Sequence, residues 1–153
     1  MARDHRFELA LEWTGNRGRG TADARAFGRD HVVRIPGKPE LLGSAARVFH
    51  GDADRWNPEE MLIAALAQCH LLSYLYVAAR AGVVVESYID DADGLLEVDA
   101  DGAGRITAVT LRPVVTVSAG DADAALRLHD EAHRLCFIAN SVAFPVHRQP
   151  RIA

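Results

Sequence analysis

Two cysteines, Cys69 and Cys136, are the residues of this chain best suited to chemistry. A thiolate is a nucleophile, a metal ligand or a redox centre, and its reactivity follows its pKa and access. A lone buried cysteine is otherwise a small hydrophobe. Histidines lie close to both in sequence. His70 follows Cys69, and His129, His133 and Cys136 are spaced four and three apart, which places them on one face of a helix. Charged residues are the third group. Arg17 and Arg19 lie in a glycine-rich stretch, and Glu59 and Glu60 precede a long apolar run. Thiol redox chemistry, a zinc site built from His129, His133, Cys136 and either Cys69 or His70, and a small-molecule cleft without catalysis are the three readings these residues allow.

The elements that must hold these residues are legible. Asn57 is a good N-cap, Pro58 fits the first helical position and Glu60 completes a capping box. The spacing predicts a helix from there to about Ala81, stopped by Gly82. Cys69 falls near its middle. Met61 to Ala79 carries no Asp, Glu, Lys or Arg. That stretch is long enough to test as a membrane span, but Gln68, His70, Ser73, Tyr74 and Tyr76 and the absence of flanking basic asymmetry favour a helix buried inside a protein. No membrane partner is expected.

Phe7, Leu9, Leu11 and Trp13 alternate with Glu8, Ala10 and Glu12, the mark of a strand with one buried face. After the turn at Gly15, Gly18 and Gly20, Thr21 to Phe27 is expected to return as a second strand, with His31 to Ile35 as a third. Residues 36 to 56 read as a long irregular connection. A three-stranded antiparallel meander is expected over Val83–Ile89, Leu95–Val98 and Ile106–Val117, with an edge or bulge at Pro113. A second helix opens at Gly120 to Asp123 and runs to about Cys136 or Ala139, putting Cys136 in its last turn. A final strand, Ala143 to Ile152, is interrupted by Pro145 and Pro150. Strands, helix, strands, helix, strand is an α+β order. At 153 residues the chain suits a single domain, 1–153.

A net charge of −4 and a short basic run without aromatic neighbours argue against nucleic acid. Met1 to Arg6 is polar and has no apolar h-region, so no signal peptide is expected and the cytoplasm is the expected location. Two cysteines in such a compartment are not a permanent staple.

Asn57-Pro58-Glu59-Glu60-Met61-Leu62-Ile63-Ala64-Ala65-Leu66-Ala67-Gln68-Cys69 resembles the N-P-E-[EQ]-L-x-x-A-x-x-x-x-C signature of the OsmC/Ohr family of thiol-dependent hydroperoxide reductases. Trp13-Thr14-Gly15-Asn16-Arg17-Gly18-Arg19-Gly20-Thr21 resembles the glycine-rich hairpin of its OsmC branch. The resemblance covers nearly the whole chain. It implies an OsmC-like fold, with antiparallel sheets wrapped around two central helices in an intertwined homodimer. It implies a peroxidatic Cys69 that becomes a sulfenic acid, a resolving Cys136 that closes a disulfide, an Arg17 that favours the thiolate and the departing oxygen, and a Glu59 that orients Arg17. Arg19 remains the competing arginine. An organic hydroperoxide substrate and a dithiol reductant, lipoyl among the candidates, follow from the same resemblance, with no cofactor and no metal. Phe137, where many members have Pro, and His70, where apolar residues are common, depart from the pattern. Glu59 and Cys69 are ten residues apart, roughly 15 Å along a straight helix, so a direct contact would need a bend or a partner chain.

Overall fold

The structure, a computed structural model, describes residues 3–153; the first two residues of the polar Met1–Arg6 stretch lie outside them. Contacts divide the chain into two compact units, Met1–Met61 and Leu62–Ala153.

In the first unit, β1 (Ala10–Trp13) pairs antiparallel with β2 (His31–Arg34), and β2 pairs with β3 (Leu41–Gly43). The expected strand over Thr21–Phe27 does not form; that segment is a series of turns, and β2 takes its place beside β1. The cause is local. The Asn16 side chain accepts from the N–H groups of Gly18 and Gly20, at 2.9 and 3.0 Å, and the Asp23 side chain accepts from Arg25 N–H at 2.8 Å. Short polar side chains thereby take donors that a ladder would need. The long connection after β2 is also more ordered than expected, since it contains β3 and a 3₁₀ turn at Arg47–Phe49. The alternating face of β1 is not buried within its own unit: Phe7 is 92% exposed and Leu11 65%.

Helix α1 (Pro58–Arg80) starts and stops as its residues require. Glu60 N–H donates to Asn57 Oδ1 at 2.8 Å, and Asn57 N–H to Glu60 Oε2 at 3.4 Å, which is the reciprocal capping box. Gly82, at φ +74°, takes the left-handed position after the end, and Val83 N–H closes back on Ala78 O at 3.0 Å. One stripe of the helix, Leu66, His70, Tyr74, Val77 and Ala78, is buried. The opposite stripe is apolar and open, with Leu72 66% and Tyr76 55% exposed. The helix expected to be buried on nearly all sides is therefore covered on one side by its own chain.

In the second unit, β4 (Val84–Asp90) pairs with β7 (Pro113–Ala119), and β5 (Asp93–Val98) with β6 (Gly104–Leu111). The expected meander is instead a long hairpin folded at its middle into two sheets. The single strand expected over Ile106–Val117 breaks at Arg112. Pro113 has no N–H to give and sits where it is tolerated, as the first residue of a strand. Arg112 N–H leaves the ladder for Asp90 Oδ1 at 2.6 Å, and its guanidinium bonds Asp91 O and Asp93 at 3.2 and 2.6 Å. The terminal segment splits at Pro150 into β8 (Val146–Arg148), parallel to β6, and β9 (Arg151–Ile152), parallel to β7. The sheets are thus mixed rather than purely antiparallel. Helix α2 (Ala122–Leu135) is capped by Asp121, which accepts from Ala124 N–H at 2.6 Å. It ends one residue before Cys136, which is its C-cap in extended conformation.

Two buried clusters hold this unit. One joins Tyr74, Val77 and Ala78 of α1 to Val115 of β7 and to Ala125 and Ala132 of α2; the other joins Leu66 to Val109 and Leu111 of β6. Each large apolar side chain so buried contributes about 1.5–3 kcal/mol. The molecule is α+β, as its element order implies.

Candidate active site

Helix α1 brings Cys69 to the rim of its buried stripe, and the end of α2 brings Cys136 into the interior. Both thiols are free, Cys136 is buried and Cys69 is half-buried. The two thiols are near neighbours, close enough for Cys69 to shift the titration of Cys136. After α2 the chain turns sharply through Ile138 and Ala139 into a 3₁₀ turn. Ile138 N–H points at Cys69 Sγ at 3.5 Å, and Ala139 N–H at Cys136 Sγ at 3.4 Å. Each sulfur therefore faces a backbone donor, and such a donor favours the charged form of a thiol. The sequence carries no residue-type signal for these amides, because they depend on backbone direction alone.

Burial dominates at Cys136. It pushes the thiol up to about 11, with neighbouring Cys69 adding to the rise and the Ala139 amide opposing it. Cys136 is thus protonated at neutral pH, which suits a thiol that waits rather than attacks.

His70 of α1 and His129 of α2 meet in the interior. His70 Nε2 and His129 Nδ1 are 3.0 Å apart, and both residues are 1% exposed. One ring donates and the other accepts. Tyr74 stacks on His129 with centroids 4.0 Å apart and planes at 17°, and its hydroxyl donates to Ala125 O at 3.0 Å. Burial lowers both imidazoles, His70 to about 3 and His129 to about 4; neighbouring His129 adds to the effect at His70, and Arg148 to the effect at both. The outward nitrogens, His70 Nδ1 and His129 Nε2, have no partner. Helical spacing marks out His129, but its partner is set by packing. The expected zinc alternative placed His129, His133 and Cys136 around a metal with Cys69 or His70. Among the described residues, no three His, Cys, Asp or Glu side chains come together in an arrangement that could hold a metal ion.

The first unit holds the charged candidates. Arg17 is ion-paired with Asp30, and its side chain is 58% exposed against 15% for Asp30. Gly28 makes room for this pair: a Cβ there would lie 2.7 Å from Arg17 Nη2 and from Asp30 Oδ2. Arg19 makes no ion pair among the described residues. Glu59 is not bonded to Arg17; its Oε2 is buried without a partner. It lies in the lining of a cavity of about 360 Å³ that also involves Trp13, Phe27, His31 and Phe49. Asp30 was not among the sequence candidates, since nothing in its spacing points to Arg17.

Fold and site together define an α+β protein with two free cysteines brought to one turn. A family model described as OsmC-like protein matches residues 51–149, and the chain belongs to that family. An OsmC-like protein of unknown function from Vibrio cholerae is 30% identical, with a TM-score of 0.86 over 96% of this chain and 99% of that one. The uncharacterized protein YmaD of Bacillus subtilis (strain 168) is 28% identical over 140 residues, 90% of this chain and 82% of that protein. The fold is also that of the organic hydroperoxide resistance protein OhrB of Bacillus subtilis, with a TM-score of 0.61 at 18% identity over 96% and 98% of the two chains.

Proposed function

We propose that the protein is a thiol-dependent peroxidase that reduces organic hydroperoxides. The observation that carries this reading is the convergence of both thiols on one turn, where consecutive backbone N–H groups, of Ile138 and Ala139, are directed at Cys69 Sγ and Cys136 Sγ. The Cys69 thiolate attacks the O–O bond. Sulfur gains the hydroxyl oxygen and becomes a sulfenic acid, the bond breaks, and the alkoxide takes a proton to leave as an alcohol. The Cys136 thiol then displaces the hydroxyl from sulfur, giving the Cys69–Cys136 disulfide and water. A dithiol reduces that disulfide by two exchange steps and becomes a disulfide itself. Within this reading Arg17 favours the thiolate and the leaving oxygen, and Asp30 holds Arg17 in the state described here. The role of Glu59, whose Oε2 is buried without a partner, is to orient Arg17. Membership of a family that includes organic hydroperoxide resistance proteins supports the reading, and two free cysteines suit a reducing compartment such as the cytoplasm. One equivalent of cumene hydroperoxide should remove two titratable thiols per chain. Retention of both thiols would overturn the proposal.

The working form is a homodimer. Its support is the apolar surface left open on β1 and on the outer stripe of α1, larger than solitary surface hydrophobics explain. Sedimentation equilibrium at micromolar concentration should give twice the chain mass.

A further inference from the structure

We propose that His70 and His129 are a positioning pair, whose hydrogen bond sets α1 against α2 so that a Cys69 sulfenic acid meets the Cys136 thiol. The inference rests on the peroxidase reading for the step it serves, and on geometry for the pair itself. A disulfide tolerates little error, with Cα atoms roughly 4.4–6.8 Å apart and the Cβ vectors converging. Apolar contacts between helices are not directional enough to impose that tolerance, whereas a hydrogen bond is. The residues sit where such control is effective. His70 is the direct neighbour of Cys69 on α1, and His129 lies seven residues, close to two helical turns, before Cys136. Tyr74 braces the same contact, stacking on His129 and bonding the carbonyl of Ala125. Three polar links therefore join α1 to α2 and the turn beyond it: Tyr74 to Ala125, His70 to His129, and Cys69 to Ile138.

An acid–base role does not fit these residues. Both imidazoles stay neutral far below the working pH range, at about 3 and about 4, because burial opposes a charge on either. Each ring offers one nitrogen to the other, and the second nitrogen of each is buried away from solvent.

The test separates disulfide closure from peroxide attack. Closure is followed first with diamide, which oxidises the two thiols without a peroxide, and then after a single turnover with cumene hydroperoxide. Sulfenic acid at Cys69 is counted by dimedone trapping. Replacing both rings, His70→Phe with His129→Phe, leaves no orphaned nitrogen. This variant should slow closure by both routes at least about tenfold, the rate equivalent of a lost buried hydrogen bond, with sulfenic acid formation unchanged. His70→Gln, which still reaches His129, should recover most of the rate, and the shorter His70→Asn should not. A folded double variant that closes at the wild-type rate overturns the proposal. So does an equal loss in sulfenic acid formation. Should the double variant fail to fold, equal closure rates for His70→Gln and His70→Asn overturn it instead. A wild-type protein that forms no sulfenic acid, yet shows the His dependence with diamide, would sink the peroxidase reading and leave the positioning pair standing.

Discussion

Arg17 lies on a turn-rich hairpin tip with more than half of its side chain in water, and the carboxylate that holds it belongs to Asp30. Cys136, His70 and His129 are each 1% exposed; the histidines bond each other and Cys136 accepts from a backbone amide. Both regions carry polar groups assigned to one reaction, yet their physics is opposite. An ion pair reached by water contributes little, about 0–1 kcal/mol, and is screened by salt. Arg17 can therefore exchange partners through water, the cost of leaving falling on Asp30, which is only 15% exposed. A buried polar contact has no water to fall back on, so breaking it costs the full desolvation of whatever is orphaned. The difference assigns mobility to the arginine and fixed geometry to the thiols. A peroxidase needs both, since substrate must enter and the disulfide must close.

The sharpest break in that comparison is at the thiols. Cys69→Ser should consume no peroxide at all, while Cys136→Ser should consume one equivalent and accumulate a sulfenic acid at Cys69. Mass spectrometry after one addition decides it, and a sulfenic acid on Cys136 would reverse the assignment. Next comes the arginine. Arg17→Ala should slow sulfenic acid formation by about 10²–10³-fold, as expected for loss of a charge-assisted contact worth a few kcal/mol. Circular dichroism should be unchanged, because the side chain is mostly exposed. A fully active Arg17→Ala beside a dead Arg19→Ala would move the role to Arg19.

A smaller effect is expected where the interior itself serves the thiolate. Ile138 has φ −70°, which proline accepts, so Ile138→Pro removes the N–H facing Cys69 Sγ with little change in backbone. Sulfenic acid formation should fall about tenfold, the rate equivalent of roughly 1.4 kcal/mol. A wild-type rate would mean that the amide does not act on the thiolate.

The remaining effect is on stability, and it belongs to the interior alone. His70 and His129 titrate near 6.5 when unfolded but at about 3 and about 4 when folded, chiefly through burial. Arg148 and His133 also oppose a charge on His70. Arg148 does so on His129, where Asp130 favours one. Tyr74 and Tyr88 complete the ring of neighbours. Below pH 6.5 the unfolded chain therefore binds more protons than the folded one. Stability is complete above that pH and is lost as the pH falls toward 4 and then 3. Urea midpoints between pH 7 and pH 4 should decline in the wild type and decline less in the double Phe variant. Identical slopes would show that the buried pair does not set the acid limb.

Residue pattern alone determined the parts of this protein that local physics controls. Helix α1 is bounded by Asn57, Pro58, Glu60 and Gly82, and caps act within one turn, so its limits and the mid-helix place of Cys69 are legible in the chain. The signature ending at Cys69 and the α+β element order are legible for the same reason. The strand expected at Thr21–Phe27 failed because Asn16 and Asp23 bind their own backbone. The strand expected across Arg112 failed because a proline and three aspartates bend it into a second sheet. Tertiary structure alone decided which groups meet. Nothing local to Arg17 selects Asp30, nothing local to His70 selects His129, and the amides of Ile138 and Ala139 reach the sulfurs only once α2 ends beside α1. Each of these depends on the relative placement of elements far apart in the chain, which packing fixes and neither periodicity nor propensity encodes.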